Sequence, residues 1–502
     1  MAKLTLSMIV KNEEEYLEGC LESVNNIVDE IVIVDTGSTD NTPEIAKKYN
    51  AKIYNFEWVN DFSAARNYAL SKSTGDWILY LDADERLAEN SLAELKKIIS
   101  VNKKVGVNCV VNNIDEYSGN AKKMNYVRLF KNEPGIYFAG KAHEQILESL
   151  IKNNYEIINS EIEIIHLGYN LPPEELKIKA ERNLQLLLDE YRESKSSYYA
   201  YQIGNSYSVM KNHEKAYEYY DLAVRDGKLE PEYKAVSFLN MADYQMRNGN
   251  LELAQELVLN GLKHEPENVW LHLLASQIFV ALNNVEPALH HCKTAVDISL
   301  NQNNYSKKLL EVNISVDKVL YQAMLVSLKV QNGKYFEHFL LEFENQNNNE
   351  EAGIIKKLIL KNEISEEEKK RLNEIINNDN LELFLTLISK LDFQKRIGIL
   401  FNMFEKFKDS TKFLVLTGIS LMEAKSFEDA EEIFIYSLSL QEKDPSVIFY
   451  LISIYLETNR VDKIKETLKL AEENFGSNKL VMMKLNDIKS KLQPILDQYQ
   501  PS

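Results

Sequence analysis

Up to about residue 170 the chain alternates apolar, β-branched runs with amphipathic helical stretches. From residue 172 the β-branched runs stop and helical periodicity continues almost to the end. This change of period constrains the fold more than any other feature. Strands separated by helices make a parallel sheet covered on both faces, whereas helices alone must bury their apolar stripes against one another. "LTLSMIV" (4–10), "EIVIVD" (30–35), "KIYNF" (52–56) and "DWILYLD" (76–82) read as strands. "EEEYLEGCLESV" (13–24), "NTPEIAKKY" (41–49) and "DFSAARNYALSKS" (61–73) read as helices. Pro43 falls in the first turn of the second, where a missing N–H costs nothing. After about residue 105, "VGVNCVVNN", "NYVRLFK" and "EIEIIHLGY" are strand candidates with less regular spacing. The expected architecture is an α/β domain with a mostly parallel sheet, then an all-α region.

A chain of 502 residues is expected to form two to four domains. A net charge of -18 argues against electrostatic capture of nucleic acid and against a polybasic membrane patch. Cys20, Cys109 and Cys292 have neither zinc nor disulfide spacing, which points to a reducing compartment. The N-terminal apolar run is short and followed at once by acids, unlike a signal peptide. No apolar run approaches the roughly 20 residues that span a bilayer. A cytoplasmic protein without a membrane span is expected.

The helical part repeats. In the segment from 201, Gly204, Tyr207, Ala216, Tyr220 and Ala223 fit the tetratricopeptide frame of small and aromatic positions on paired helices. Ala242, Ala254 and Pro266 continue it, then Phe279, Ala288 and Ala295. Gly418, Ala430 and Phe434 restore it near the C-terminus, followed by Tyr455, Leu468 and Ala471. An ordinary helical bundle is the plainer alternative. The expected division is an α/β domain over 1–170, a connecting helix over 171–195 and repeats over 196–300. Degenerate helical hairpins are expected over 301–410, with 344–353 as a polar loop, and repeats again over 411–502.

Two of the strands run into acid. "WILYLDADERL" (77–87) ends in Asp82, Asp84 and Glu85, a cluster that is costly unless something positive sits there. "IVIVDTGSTDNT" delivers Asp35 to a strand end, after which Gly37 and Ser38 turn the chain into a helix. Ligands of open parallel sheets bind in the crevice beyond the carboxyl ends of the strands. Asp35 is therefore placed to accept hydrogen bonds from a base or ribose; the alternative is that Asp35 to Thr42 only cap the next helix. Asp82 and Asp84 should face the same crevice. Clustered carboxylates suit Mg2+ or Mn2+ held through few protein oxygens plus substrate phosphates. The alternative is a solvated acidic turn. The missing positive charge is expected to be a metal bound to a diphosphate.

"SMIVKNEEEYLEGCLES", "IVIVDTGSTDNT", "DFSAARNYAL" and "GDWILYLDADERL" together resemble, in order and spacing, the family 2 glycosyltransferases with a Rossmann-like GT-A fold. The resemblance covers about residues 3 to 170. It implies inverting transfer of a sugar from a nucleotide-diphosphate donor, usually a UDP-sugar. It also implies that Asp35 and Arg66 contact the base, that Asn12 and Glu13 line the same pocket, that Asp82 touches ribose or sugar, and that Asp84 ligates the metal. Thr36 stands where many members have a second Asp.

Inverting transfer needs a base opposite the leaving diphosphate. Glu144, after His143 at the start of a predicted helix, resembles the acidic residue found at that stage of the fold; Asp115 and Glu116 are next in line. The alternative is a helix-start Glu that only meets the dipole. His166 at a strand end resembles the histidine that often completes the metal site; an ordinary core or surface histidine is the alternative. Cys20 reads as core packing.

A transferase domain joined to such repeats is similar to bacterial peptide and protein glycosyltransferases, and also to enzymes acting on lipopolysaccharide or surface glycans. A polypeptide acceptor is the favoured expectation, with a homodimer possible through the repeats. A repeat scaffold carrying a silent transferase domain is the alternative from another class. Because the donor motifs all precede residue 170, a fragment ending near 195 is expected to keep some donor binding and lose transfer to a large acceptor.

Overall fold

The computed structural model describes residues 2–101, 103–113, 122–168, 173–225, 227–301, 310–312, 314–346, 348–361, 364–440, 443–476 and 478–498. The chain packs as two compact units. One comprises residues 1–240 with 302–314, the other 241–301 with 315–502.

The first unit is built on a sheet of nine described strands. β1 (Leu4–Val10), β2 (Glu30–Asp35), β3 (Lys52–Asn55) and β4 (Trp77–Tyr80) are the expected ones. They lie in the order β3-β2-β1-β4 and are parallel throughout. β1, β2 and β4 are almost wholly buried, as continuous Val/Ile/Leu runs require. α1 (Leu17–Val24) turns Leu17, Cys20, Leu21 and Val24 inward at helical spacing. Cys20 is fully buried in that core. α2 (Thr42–Lys48) follows β2, and α3 (Phe62–Lys72) follows β3, its first turn capped by Asp61, whose carboxylate accepts from Ala64 N–H at 3.0 Å.

The other half of the sheet is not parallel. β5 (Glu85–Leu87), β6 (Val105–Asn113), β7 (Lys122–Lys131) and β8 (Glu156–His166) extend it in the order β4-β7-β6-β8-β5. Only the β6–β8 pair there is parallel; β7 runs against β4 and β6, and β5 against β8. The mostly parallel expectation therefore holds for four strands, and the sheet as a whole is mixed. A further strand, β9 (Leu310–Val312), pairs antiparallel with β7 from within the stretch expected to be purely helical. Three residues are too few for an alternating pattern to show.

Helices follow from residue 173. α4 (Leu92–Ile99) and α5 (Leu147–Lys152) lie between the strands of the sheet, and α6 (Pro173–Ser194) runs through the stretch expected to connect. The hairpins are α7 (Ser197–Val209) with α8 (His213–Arg225) and α11 (Val269–Ala281) with α12 (Val285–Asn301); α9 (Pro231–Arg247) and α10 (Leu251–His264) come between them in the chain. Then come α13 (Val316–Lys329) with α14 (Gly333–Asn345), followed by α15 (Asn349–Lys361), α16 (Glu366–Ile375), α17 (Leu381–Ile388) and α18 (Phe393–Phe407). The last are α19 (Thr411–Glu423) with α20 (Phe427–Ser439), α21 (Ser446–Glu457) with α22 (Val461–Phe475), and α23 (Lys479–Gln498). The polar stretch 344–353 is not a loop: α14 runs to Asn345 and α15 resumes at Asn349. No helix among the described residues is long and apolar enough to cross a membrane.

The frame positions do the packing expected of them. A Cβ on Gly204 would fall 2.7 Å from the Tyr220 ring, and one on Gly418 2.4 Å from the Phe434 ring. In both hairpins an aromatic of the second helix occupies the space where a side chain on the first would sit. Ala216, Ala223, Ala254, Ala288, Ala295, Ala430 and Ala471 are buried likewise.

A second periodicity is conformational. Lys211, Gly249, Asn283, Gln331, Lys425 and Asn459 are all left-handed, with φ between 54° and 73°. Each ends a helix with the same pair of backbone hydrogen bonds. For Lys211 these are Lys211 N–H to Ser208 O and Asn212 N–H to Tyr207 O, both 2.9 Å. Gln331 and Asn332 repeat it to Leu328 O and Ser327 O at 3.1 and 2.8 Å. The α13–α14 pair is thus closed like the repeats, although its sequence has lost the frame.

Candidate functional site

The carboxyl ends of β1, β2 and β4 make one rim, and each loop there is tied to its neighbour. Asn12, left-handed at φ 55°, follows β1. Its N–H donates to Ser38 Oγ at 3.0 Å, and its Oδ1 accepts from Thr39 N–H at 2.8 Å. Glu13 N–H donates to Thr42 Oγ1 at 2.7 Å. Asp35 is buried, and its Oδ1 accepts from Gly37 N–H, Ser38 N–H and Ser38 Oγ–H at 3.1, 2.8 and 2.8 Å. Asn12 and Asp35 thus shape a turn in which Gly37, at φ 109°, has no side-chain clash to avoid but a backbone only glycine adopts readily.

Beyond β4 the acidic run is neutralised from within. Arg66 of α3 is buried, and its Nη2 donates to Asp82 Oδ1 at 2.6 Å while its Nε donates to Glu144 Oε1. Its guanidinium also lies over the Tyr80 ring at 5.2 Å and the Phe138 ring at 5.8 Å. Arg128 of β7 donates to Glu85 Oε1 at 2.6 Å and sits 3.8 Å from Asp82 Oδ2. Glu85 is fully buried, and its other oxygen accepts from Asp82 N–H at 2.9 Å. Burial works against the charge on Asp82, but Arg66 and Arg128 hold its carboxyl well below the usual carboxylate range. Glu85 is pushed the other way by burial, only partly offset by Arg128. The positive charge expected at this cluster is therefore, for Asp82 and Glu85, supplied by two arginines of the chain itself. Arg66 carries the base-contact expectation, yet its two donor edges face Asp82 and Glu144.

Asp84 stands apart from that lattice. β5 pairs Glu85 with His166 in β8, which brings His166 Nε2 to 3.5 Å from Asp84 Oδ2. His166 Nδ1 and Asn113 Oδ1 lie 2.6 Å apart, so Nδ1–H donates and Nε2 faces Asp84. Burial alone would lower His166, but the Asp84 hydrogen bond and charge, with Glu85 and Asp82 behind, hold it above its ordinary value. A Cβ on Gly168 would fall 2.2 Å from Asp84 Oδ2 and 2.6 Å from His166 Nε2. The glycine keeps open a cradle bounded by one hard oxygen and one imidazole nitrogen, a donor pair that fits Mn2+ or Mg2+ with further positions left for water and phosphate. No group of three or more metal-binding side chains occurs among the described residues. Glu13 also faces this corner. Burial, then the charge of Asp84, raise it to about 7, with Asp82 adding and Lys179 and Arg182 of α6 opposing.

Glu144 does not begin a helix. α5 starts at Leu147, and Glu144 lies in an extended turn next to Gln145, which is bridged to Ala139. Gly140 at φ 102° and His143 at φ 52° bend this loop back on itself, so its helical pattern in the sequence is overridden. The Glu144 side chain is 12% exposed. Asp115 and Glu116 lie outside the described residues.

The residues missed in sequence are the partners. Arg128 carried a signal, a charge inside the apolar run "NYVRLF", which calls for a buried counter-ion. Asn113 and Gly168 carried none.

Residues 5–151 match the family model Glycosyl transferase family 2. A TPR repeat-containing protein of Synechococcus elongatus is 33% identical over 263 residues, covering 51% of this chain and 64% of that protein. The SPbeta prophage-derived glycosyltransferase SunS of Bacillus subtilis is 26% identical over 334 residues, covering 65% of this chain and 77% of SunS. Among solved structures, S. aureus TarS 1-349 in complex with UDP-GlcNAc is 14% identical, with 62% of this chain and 96% of that chain covered at a TM-score of 0.28. Over residues 5–151, within its α/β part, this chain thus matches the family 2 glycosyltransferase model, and an all-helical, repeat-like region follows.

Proposed function

We propose that the chain transfers a sugar, with inversion, from a UDP-sugar to a polypeptide acceptor. The observation that carries this reading is the convergence of Asp35, Asp82, Asp84 and Glu144 on the carboxyl-end rim of one sheet, with Arg66 joining Asp82 to Glu144. In this reading the nucleoside lies against the Asn12, Glu13 and Asp35 loops. Glu144 accepts the proton of the acceptor nucleophile as the new bond forms at the anomeric carbon and the bond to the diphosphate breaks. Arg66 holds the Glu144 carboxylate in place. Asp84 and His166 would hold a divalent cation, which when bound neutralises charge on the leaving diphosphate.

The polypeptide acceptor is inferred from the repeats, since stacked helix pairs make surfaces suited to extended peptides. A thermal-shift panel of UDP-sugars with and without Mn2+ tests the donor: selective stabilisation supports it, and none overturns it. Incubation with a radiolabelled UDP-sugar tests the acceptor. Label in protein supports the reading, whereas label in lipid or glycan fractions moves it to a surface-glycan acceptor. Absence of turnover with every common UDP-sugar would favour a scaffold.

A further inference from the structure

The loop that carries Glu144 is held by helices outside the matched family region. Glu190 of α6 accepts from Lys141 N–H at 3.0 Å, and its carboxylate also hydrogen-bonds the Tyr199 hydroxyl of α7. That hydroxyl lies where a side chain on Gly140 would be, 2.7 Å from its Cβ position. Gln145 Nε2 donates to the Tyr198 hydroxyl at 3.2 Å. On the other side, Phe62 N–H of α3 donates to Lys141 O at 3.0 Å, four residues ahead of Arg66. Between these ties the loop makes two left-handed residues, one of them His143, a conformation that persists only where the surroundings over-determine it. The Ala139–Gln145 bridge, with bonds of 3.0 and 2.8 Å, closes it.

We infer that α6 and the first repeat helix, α7, are part of the transfer machinery: Glu190 of α6 with Tyr199 and Tyr198 of α7 act as positioning residues that clamp loop 139–145 so that Glu144 stays aimed from Arg66 into the crevice. This rests on Glu144 as the proton acceptor. It makes α7 a structural link between a repeat surface and the reacting atoms. Without the Glu190 carboxylate, Lys141 N–H and the Tyr199 hydroxyl lose a shared acceptor and the loop is free to swing Glu144 away.

The test uses the full chain carrying Glu190→Ala, Glu190→Gln, Glu144→Gln, or Glu144→Gln with Glu190→Ala. Two readouts are taken: amide hydrogen exchange over 139–146, and UDP release from UDP-glucose and UDP-N-acetylglucosamine with MnCl2. Glu190→Ala should speed exchange and lower kcat about tenfold at unchanged donor KM, the expected result of misplacing a reacting group. Glu190→Gln, which keeps an acceptor for Lys141 N–H, should restore most of both. Added to Glu144→Gln, Glu190→Ala should cost nothing further, because both act through one group. Unchanged exchange in Glu190→Ala, or multiplying losses in the double variant, overturns the clamp. If Glu144→Gln alone turns over normally, the base assignment fails; faster exchange in Glu190→Ala would still support the clamp, and unchanged exchange would still overturn it. Should Glu190→Ala not fold, Tyr199→Phe carries the same readouts.

Discussion

The crevice and the repeats bury their defining residues by opposite means. In the crevice, Arg66 and Arg128 are interlocked with Asp82, Glu85 and Glu144, and each charge needs at least one of the others. In the repeats, Gly204 faces Tyr220 and Gly418 faces Phe434, contacts made within one hairpin. Losing an arginine from this lattice leaves a carboxylate without its close counter-ion, Glu144 for Arg66 and Glu85 for Arg128. A row of hairpins that each pack on their chain neighbours can lose its frame locally and keep its form, as α13–α14 does around Gln331. Charge is not excluded from the helices. Arg396 of α18 is buried, but it is satisfied by Ser389 O, Ser420 Oγ and Glu423 within two neighbouring helices.

The sharpest way to break this contrast is Arg66→Met. It strands Asp82 and Glu144, and should destabilise the first unit by about 3–5 kcal/mol. Urea unfolding measures it, and a loss no larger than that of an exposed substitution would mean the lattice is not interlocked. Glu144→Gln should cost less stability but lower transfer by roughly 10²-fold. Its donor affinity, read by calorimetry, should be unchanged. In the repeats, Gly418→Ala forces a methyl into the Phe434 ring and should cost about 1–3 kcal/mol. Gly353 of α15 has open space around its Cβ position, so Gly353→Ala should instead stabilise by about 0.4–1 kcal/mol. Equal effects at the two glycines would erase the distinction between a frame glycine and a filler.

A last effect concerns pH. His272 and His291 are buried in the second unit with their Nδ1 atoms 2.9 Å apart, and His272 Nε2 donates to Pro266 O at 2.8 Å. Burial, then the charges of His272 and His290, lower His291 to about 4. Below the ordinary imidazole value the unfolded chain takes up a proton that the folded chain refuses. Stability of this unit should therefore fall as pH drops from about 6.5 toward 4. His291→Gln should flatten that part of the melting-temperature profile; an unaltered slope would assign it elsewhere.

The clamp on loop 139–145 also changes one expectation. A fragment ending near 195 looked separable because the donor motifs all precede residue 170. That cut removes Tyr198 and Tyr199, which touch Gln145 and Gly140, so such a fragment should expose the loop as well as lose the repeats.

Sequence alone determined the parts whose pattern is local. β1, β2 and β6 run over the stretches 4–10, 30–35 and 105–113 read from their β-branched content, and the small residues of the repeats lie where the frame puts them. The acidic ends of β2 and β4 were legible too, because parallel buried strands of one sheet must deliver their ends to one rim. Tertiary structure decided every partnership. Asp84 meets His166 only through the pairing of β5 with β8, across about 80 residues of chain. Arg128 meets Glu85 through the packing of β7 beside β4, and Glu144 was expected on a helix until the Ala139–Gln145 bridge placed it in a turn. Periodicity records which face of an element is buried, and that depends on neighbours a few residues away. A charge's partner depends on register between distant strands, which no local pattern encodes.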